Sequence, residues 1–202
     1  MFIPPVHQEN RRDILFETIR SKSFGTLITQ GEKGIDLTHV PFTVKGETLF
    51  GHVARPNPQW QDAITDSEAV ASFVIDDAYI HPGWYPSKAQ HGRAVPTWNY
   101  IAVEARGAIE WFHDAAELQD MLQQLTADHE NGRPSPWAID DAPPRYIEAM
   151  IKAIVGFRMD VRDLKGSWKI DQHKDDIARL SVADGIARER PHSILPDKMR
   201  AL

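Results

Sequence analysis

Between residues 25 and 53 the chain lays down three short runs of strand character, 25–29, 35–44 and 48–53, parted only by glycine-bearing turns at 31–34 and 45–46. Glycine supplies the positive φ that tight turns need, and the runs are too closely spaced for any connection but a hairpin, so they predict an antiparallel meander. A meander this short buries one face best by closing on itself, which points to a barrel. Further strands are expected at 69–75, at 99–112 with Ile101, Val103 and Ala105 on one face, and at 155–161. The expectation is five or six antiparallel strands, mainly β, with helices packed outside.

Apolar residues at helical spacing predict those helices at 8–22, where Asn10 can cap and Ile14, Leu15 and Ile19 form a stripe, and at 114–124, where Leu118, Met121, Leu122 and Leu125 do so. Shorter helices are read at 59–64 and 145–154. Gly107 is expected to bend or bulge its strand. Segments 79–96 and 128–144 read as irregular. Residues 1–174 form the expected domain and 175–202 a charged, partly helical tail, with Arg188, Glu189 and Arg190 on a solvated face.

Composition removes several chemistries. The 202 residues include no cysteine, which rules out disulfides, thiolate metal sites, iron–sulfur clusters and thiol nucleophiles. With 23 Lys and Arg against 29 Asp and Glu the formal charge is −6, so general attraction to nucleic acid or anionic membrane is not expected. The start MFIPPVHQENRRD lacks the pattern of a signal peptide and no apolar window approaches a spanning length, which leads us to expect a cytoplasmic protein without a membrane anchor. No glycine fingerprint, P-loop, nucleophile elbow or HExxH zinc pattern is present. Asp36, Asp76 and Asp77 lie near strand ends with no spacing of a catalytic pair, and read as structural.

Two stretches free of carboxylates stand out in this acidic chain. The first, YIHPGWYPSKAQHGRAVPTWNY at 79–100, combines five aromatics with Lys88, Arg93 and the hydroxyls of Ser87 and Thr97. Cations pair with phosphate and aromatic faces cover flat rings, so the combination suits an anionic ligand with a planar ring, although aromatics that merely pin a long loop would read the same way. The second, LFGHVARPNPQW at 49–60, leaves a strand through His52 and Arg55. His52 shares a face with Phe50 and Ala54 and reads first as a core histidine, whereas Arg55 could contact an anion or an aspartate.

Taken in order, THVPF (38–42), GHVARPNPQW (51–60), AYIHPGWYPSK (78–88) and VPTWNY (95–100) resemble the successive signatures of the PaiB-type family of FMN-binding negative transcriptional regulators, and the likeness runs on through GFRMDV and GSWKIDQ. The resemblance implies a split β-barrel of the flavin-reductase and pyridoxamine-phosphate-oxidase type, a homodimer, and FMN at the subunit interface. It assigns Thr38, His39 and Val40 to the flavin ring, and His52, Arg55 and Asn57 to the ribityl phosphate. Ser87, Lys88, Thr97, Trp98 and Asn99 would complete the pocket, with Lys169 and Gln172 as further contacts. The chain departs from the family at His81, where relatives tend to serine, and at 169–173, where KIDQH stands for a stretch more like KLSQN. If that stretch reaches the flavin, Asp171 brings negative charge towards it.

Three readings of function follow: an FMN-binding protein, either a regulator acting through its redox state or a flavin-dependent oxidoreductase; a direct repressor; or a haem protein with an axial ligand among His39, His52, His81 and His91. No residue can be named as catalytic. The negative charge and the lack of a basic recognition helix argue against direct DNA binding, which makes an indirect regulatory effect the expectation.

Overall fold

Alternation of buried and exposed residues governs most of the chain in the computed structural model, which describes residues 1–64 and 67–202. Among the described residues eight strands form: β1 Gln8–Glu9, β2 Phe24–Gly31, β3 Gly34–Pro41, β4 Thr43–Lys45, β5 Thr48–Ala54, β6 Glu68–Ile80, β7 Thr97–Phe112 and β8 Ile154–Lys169. Seven α-helices accompany them among the described residues: α1 Arg12–Ser21, α2 Gln59–Asp62, α3 Pro86–His91, α4 Ala115–Glu130, α5 Pro144–Lys152, α6 Asp176–Glu189 and α7 Leu195–Arg200. The sheet runs β3-β2-β6-β7-β8-β5-β4, with β1 paired to β8.

The predicted meander is present, with register Leu27 opposite Thr38 and Val44 opposite Leu49. Its turns use Gly34 at φ 134° and Gly46 at φ 61°, values that glycine reaches without steric cost. Three expectations are corrected. The strands number eight rather than five or six, because the 35–44 run breaks at Phe42 and Gln8–Glu9 adds a strand. The last strand reaches Lys169, well past 161, and 79–96 is not irregular throughout, since β6 continues to Ile80 and α3 follows. Gly107 marks a close approach: a Cβ there would lie 1.9 Å from the Asp160 carbonyl oxygen.

The chain divides into two compact units. The first comprises Met1–Thr18, Val74–Glu104 and Lys165–Leu202; the second comprises Ile19–Phe73 and Ala105–Leu164.

In the second unit the core is aromatic. Phe42 meets Phe73 edge-on at 5.0 Å and Phe157 at 5.6 Å, and Trp111 meets Phe157 at 5.7 Å, all geometries favoured by ring quadrupoles. Helix α4 begins at Asp114, whose carboxylate accepts from the backbone of Ala116 and Glu117 at 3.0 Å, and it buries Leu118 and Met121 against Phe112 and Ile151.

In the first unit the carboxy-terminal helices are packed, not loose. Val182, Ala183, Ile186, Leu195 and Met199 are buried. Gly185 lies against the Trp84 indole, where a Cβ would fall 2.3 Å from the ring. Ser181 Oγ donates to the Trp84 carbonyl at 2.7 Å. The Asp76 carboxylate accepts from Ser193 Oγ and the Ile194 backbone, both at 2.7 Å, and nearly buried Arg179 donates to the Met199 carbonyl at 2.9 Å. Arg188 and Glu189 are exposed as expected, but Arg190 pairs with Asp77 at 3.0 Å.

Candidate functional site

The residues singled out in the sequence fall into two groups, one in each unit. In the second unit Pro58 precedes the single turn of α2 and so aims Gln59 inwards, where it is 1% exposed. Thr38 Oγ1 donates to Gln59 Oε1 at 2.6 Å and accepts from Asn57 Nδ2 at 2.8 Å. Gln59 Nε2 donates onward to Thr29 Oγ1 at 3.0 Å. Thr38 and Asn57 are thus members of a satisfied network that seats α2 on β2 and β3. Gln59 is its hub, which the sequence reading missed.

His39 is exposed, within 2.9 Å of Thr26 Oγ1 through Nδ1, and Val40 is buried. Arg55 is engaged by the protein itself: Nε donates to the Lys152 carbonyl at 2.5 Å and Nη2 to that of Ile154 at 2.8 Å. Those bonds tie the segment after β5 to the junction of α5 and β8 and occupy two of the donors a phosphate would need. His52 is half-buried with Nδ1 sealed and unpartnered, and burial lowers its pKa. The folded imidazole therefore prefers to stay neutral. Stability from this site is full above the unfolded imidazole value of about 6.5 and declines as the pH falls below it. His52→Leu should flatten the acid limb: between pH 7.5 and 5.5 the variant's urea midpoint should fall less than that of the wild type, and equal falls would reject the role.

In the first unit the two late motifs meet. Pro86 at the first turn of α3 and Gly92 at φ 72° at its end fix the helix, and α3, β7, the end of β8 and the start of α6 enclose a cavity of about 570 Å³. Ser87, Thr97 and Lys169, from three separate motifs, line it. Lys169 Nζ donates to Thr97 Oγ1 at 2.7 Å across the two strands. Arg93, His173 and Lys174 add to the lining. Among the described residues the Arg93 guanidinium meets no carboxylate. Burial and the neighbouring Lys174 lower the pKa of His173.

The deep side of this cavity is acidic. Tyr85, 7% exposed, donates its hydroxyl to Asp171 Oδ2 at 2.9 Å, and burial together with that carboxylate pushes the phenol far above its usual range. Lys174 Nζ stands 5.7 Å over the Tyr85 ring. Asp171 itself is 2% exposed and adopts a left-handed backbone at φ 62°.

The other candidates of this unit lie off the cavity wall. Lys88 is exposed on α3. Trp98 is half exposed, edge-on to Tyr79 at 6.0 Å. Asn99 is 0% exposed with neither side-chain polar atom bonded. Gln172 braces the loop, its amide accepting from the Ile170 backbone at 3.0 Å and donating to the Trp168 carbonyl. His173 and Lys174 were missed because only the fold carries the strand end back to α3.

The chain is similar to known proteins along most of its length. A family model described as "Putative FMN-binding domain" matches residues 1–163. The chain is 28% identical over 193 residues to the protease synthase and sporulation protein PAI 2 of Bacillus subtilis, covering 94% of this chain and 90% of that one. It is 28% identical over 225 residues to an uncharacterized protein of Emericella nidulans, covering 92% and 90%. Among solved structures, a conserved hypothetical protein from Mycobacterium tuberculosis matches with TM-score 0.61 at 14% identity over 87% of this chain and 94% of that one. The FAD and heme binding protein from Mycobacterium smegmatis matches with the same TM-score and identity, over 87% and 79%. The mainly β fold with peripheral helices is thus of the split-barrel type that the sequence led us to expect.

Proposed function

The chain belongs to the FMN-binding domain family, and from that premise we propose that it is a flavin-binding regulatory protein which holds the phosphate arm of FMN in the cavity of the first unit. The observation that carries this reading is the meeting of Ser87, Thr97 and Lys169 on one wall, with Arg93, His173 and Lys174 beside them. A cavity of about 570 Å³ is of the size that small-molecule ligands use, and its lining offers what a phosphate monoester requires: fixed cations and hydroxyl donors. In this reading Lys169 and Arg93 pair with the phosphate, and Ser87 and Thr97 donate hydroxyl bonds. When bound, FMN supplies the electron-transfer chemistry, and the chain supplies binding and orientation.

The lysines separate the cavity from the wider motif. Titration of FMN fluorescence should show Lys169→Ala weakening affinity about tenfold or more, the effect of losing one charge-assisted bond, while exposed Lys88→Ala stays within about twofold. Unchanged affinity in Lys169→Ala would overturn the placement. The same samples carry the test of the haem reading, because haemin binding gives a Soret band that FMN does not.

The homodimer with flavin at its interface rests on a separate observation in the second unit. Phe24, Ile35 and Leu37 are 62%, 72% and 60% exposed, and Ile28 lies opposite both Leu37 and Val70 on the outer face of β2, β3 and β6. Exposed apolar residues gathered on a sheet with a free edge at β3 favour a second copy as cover. Regulation is read as indirect, since the formal charge is −6.

A further inference from the structure

Asp171 is an unexpected residue for the wall of a phosphate cavity. A carboxylate repels a phosphate, and a buried charge is costly unless its hydrogen bonds are made. Asp171 combines both: it lines the cavity and is 2% exposed, on a left-handed backbone at φ 62° that aspartate and asparagine tolerate. Only one of its two oxygens is bonded. Oδ2 accepts the Tyr85 hydroxyl at 2.9 Å, while Oδ1 receives no hydrogen bond from any described residue. Asp171 is one of the residues that line the cavity, so a bound molecule would meet its carboxylate there.

The surroundings hold the carboxylate rigidly. The backbone of Lys174 donates to the Asp171 carbonyl at 3.0 Å, and Gln172 ties the same turn to Ile170 and Trp168. Tyr85, itself buried, fixes the other oxygen. A pre-oriented acceptor lies at one part of the cavity, and Lys169, bonded to Thr97, marks another. A ligand that satisfies both has an anionic group and, along the same molecule, a hydroxyl or N–H donor.

We propose that Asp171 is a specificity-determining residue: Oδ1 accepts a hydrogen bond from a hydroxyl of the bound molecule, so the cavity selects a phosphorylated polyol, with the phosphate at Lys169 and a polyol hydroxyl at Asp171. The inference rests on the FMN reading above, in which that polyol is the ribityl chain.

FMN and riboflavin share the ribityl chain and differ in the phosphate, which allows the two ends to be read apart. Fluorescence titration of the full chain should show Asp171→Asn weakening FMN and riboflavin by the same factor, about tenfold, and Lys169→Ala weakening FMN alone. Asparagine keeps the shape and tolerates the left-handed backbone; Asp171→Gly, which reaches that backbone freely and removes the acceptor, is the second variant should the first fail to fold, with the same expectation. Asp171→Asn that leaves both affinities unchanged, tightens FMN, or weakens FMN but not riboflavin overturns the assignment of Asp171 alone. Wild-type protein that binds neither flavin removes the FMN reading itself and this inference with it, before any variant is compared.

Discussion

Phe157→Ala should lower the free energy of unfolding by about 3–5 kcal/mol, the range for deleting a fully buried phenyl group. The ring is 0% exposed and meets both Phe42 and Trp111 edge-on, so its loss removes two aromatic contacts as well as apolar area. Gly51 lies beneath it, with Phe157 Cζ 2.5 Å from where a Cβ would stand, which shows how closely the sheet has closed on the ring. Neighbouring strands cannot move together to fill the gap without breaking the β5–β8 ladder, in which Gly51 is the register partner of Phe157. With a urea m-value of about 2 kcal/mol/M the midpoint should fall by about 2 M. A fall below about 0.5 M would mean that the aromatic cluster is not the centre of the core.

Gly107→Ala should cost at least the upper part of the roughly 1–3 kcal/mol range for overpacked sites. The new Cβ would lie 1.9 Å from the Asp160 carbonyl oxygen, and that atom is backbone, so no change of rotamer relieves the clash. β7 would have to separate from β8 locally and forfeit ladder bonds between two long strands. Soluble yield and thermal melting check this outcome, and a variant that melts within a few degrees of the wild type would show that the strands have room which the geometry denies.

What could be read from the sequence depended on the range of the interactions involved. The meander was legible because glycine turns and alternation act over a few residues, as at Gly34 and Gly46. The length of β8 was not, since 162–169 loses simple alternation: Gly166 and Ser167 are both buried in succession, one against Leu15 and Trp168. Helix α3 was hidden among aromatics and prolines whose composition favours a loop. In the site, the family motifs brought Ser87, Thr97 and Lys169 to the cavity, yet Arg55 turned to the carbonyls of Lys152 and Ile154, about a hundred residues away in sequence, a pairing that no local pattern encodes. Lys174 entered the cavity wall for the same reason, and so did the bond from Tyr85, one of the five aromatics of 79–100, to Asp171.

The late position of β8 has a consequence for synthesis. β1 and β5 both pair with β8, through Gln8 with Ser167 and through Leu49 with Met159. The outer edge of β5 and the short β1 therefore wait for a strand made more than a hundred residues later, which at about 5–20 residues per second is an interval of order 5–20 s. During that time the nascent chain presents an open strand edge with no partner to receive it. Close ribosome spacing on the message would place such edges side by side, so the yield of this protein should depend on translation rate and on the chaperones that attend it, before its final stability has any bearing on the outcome.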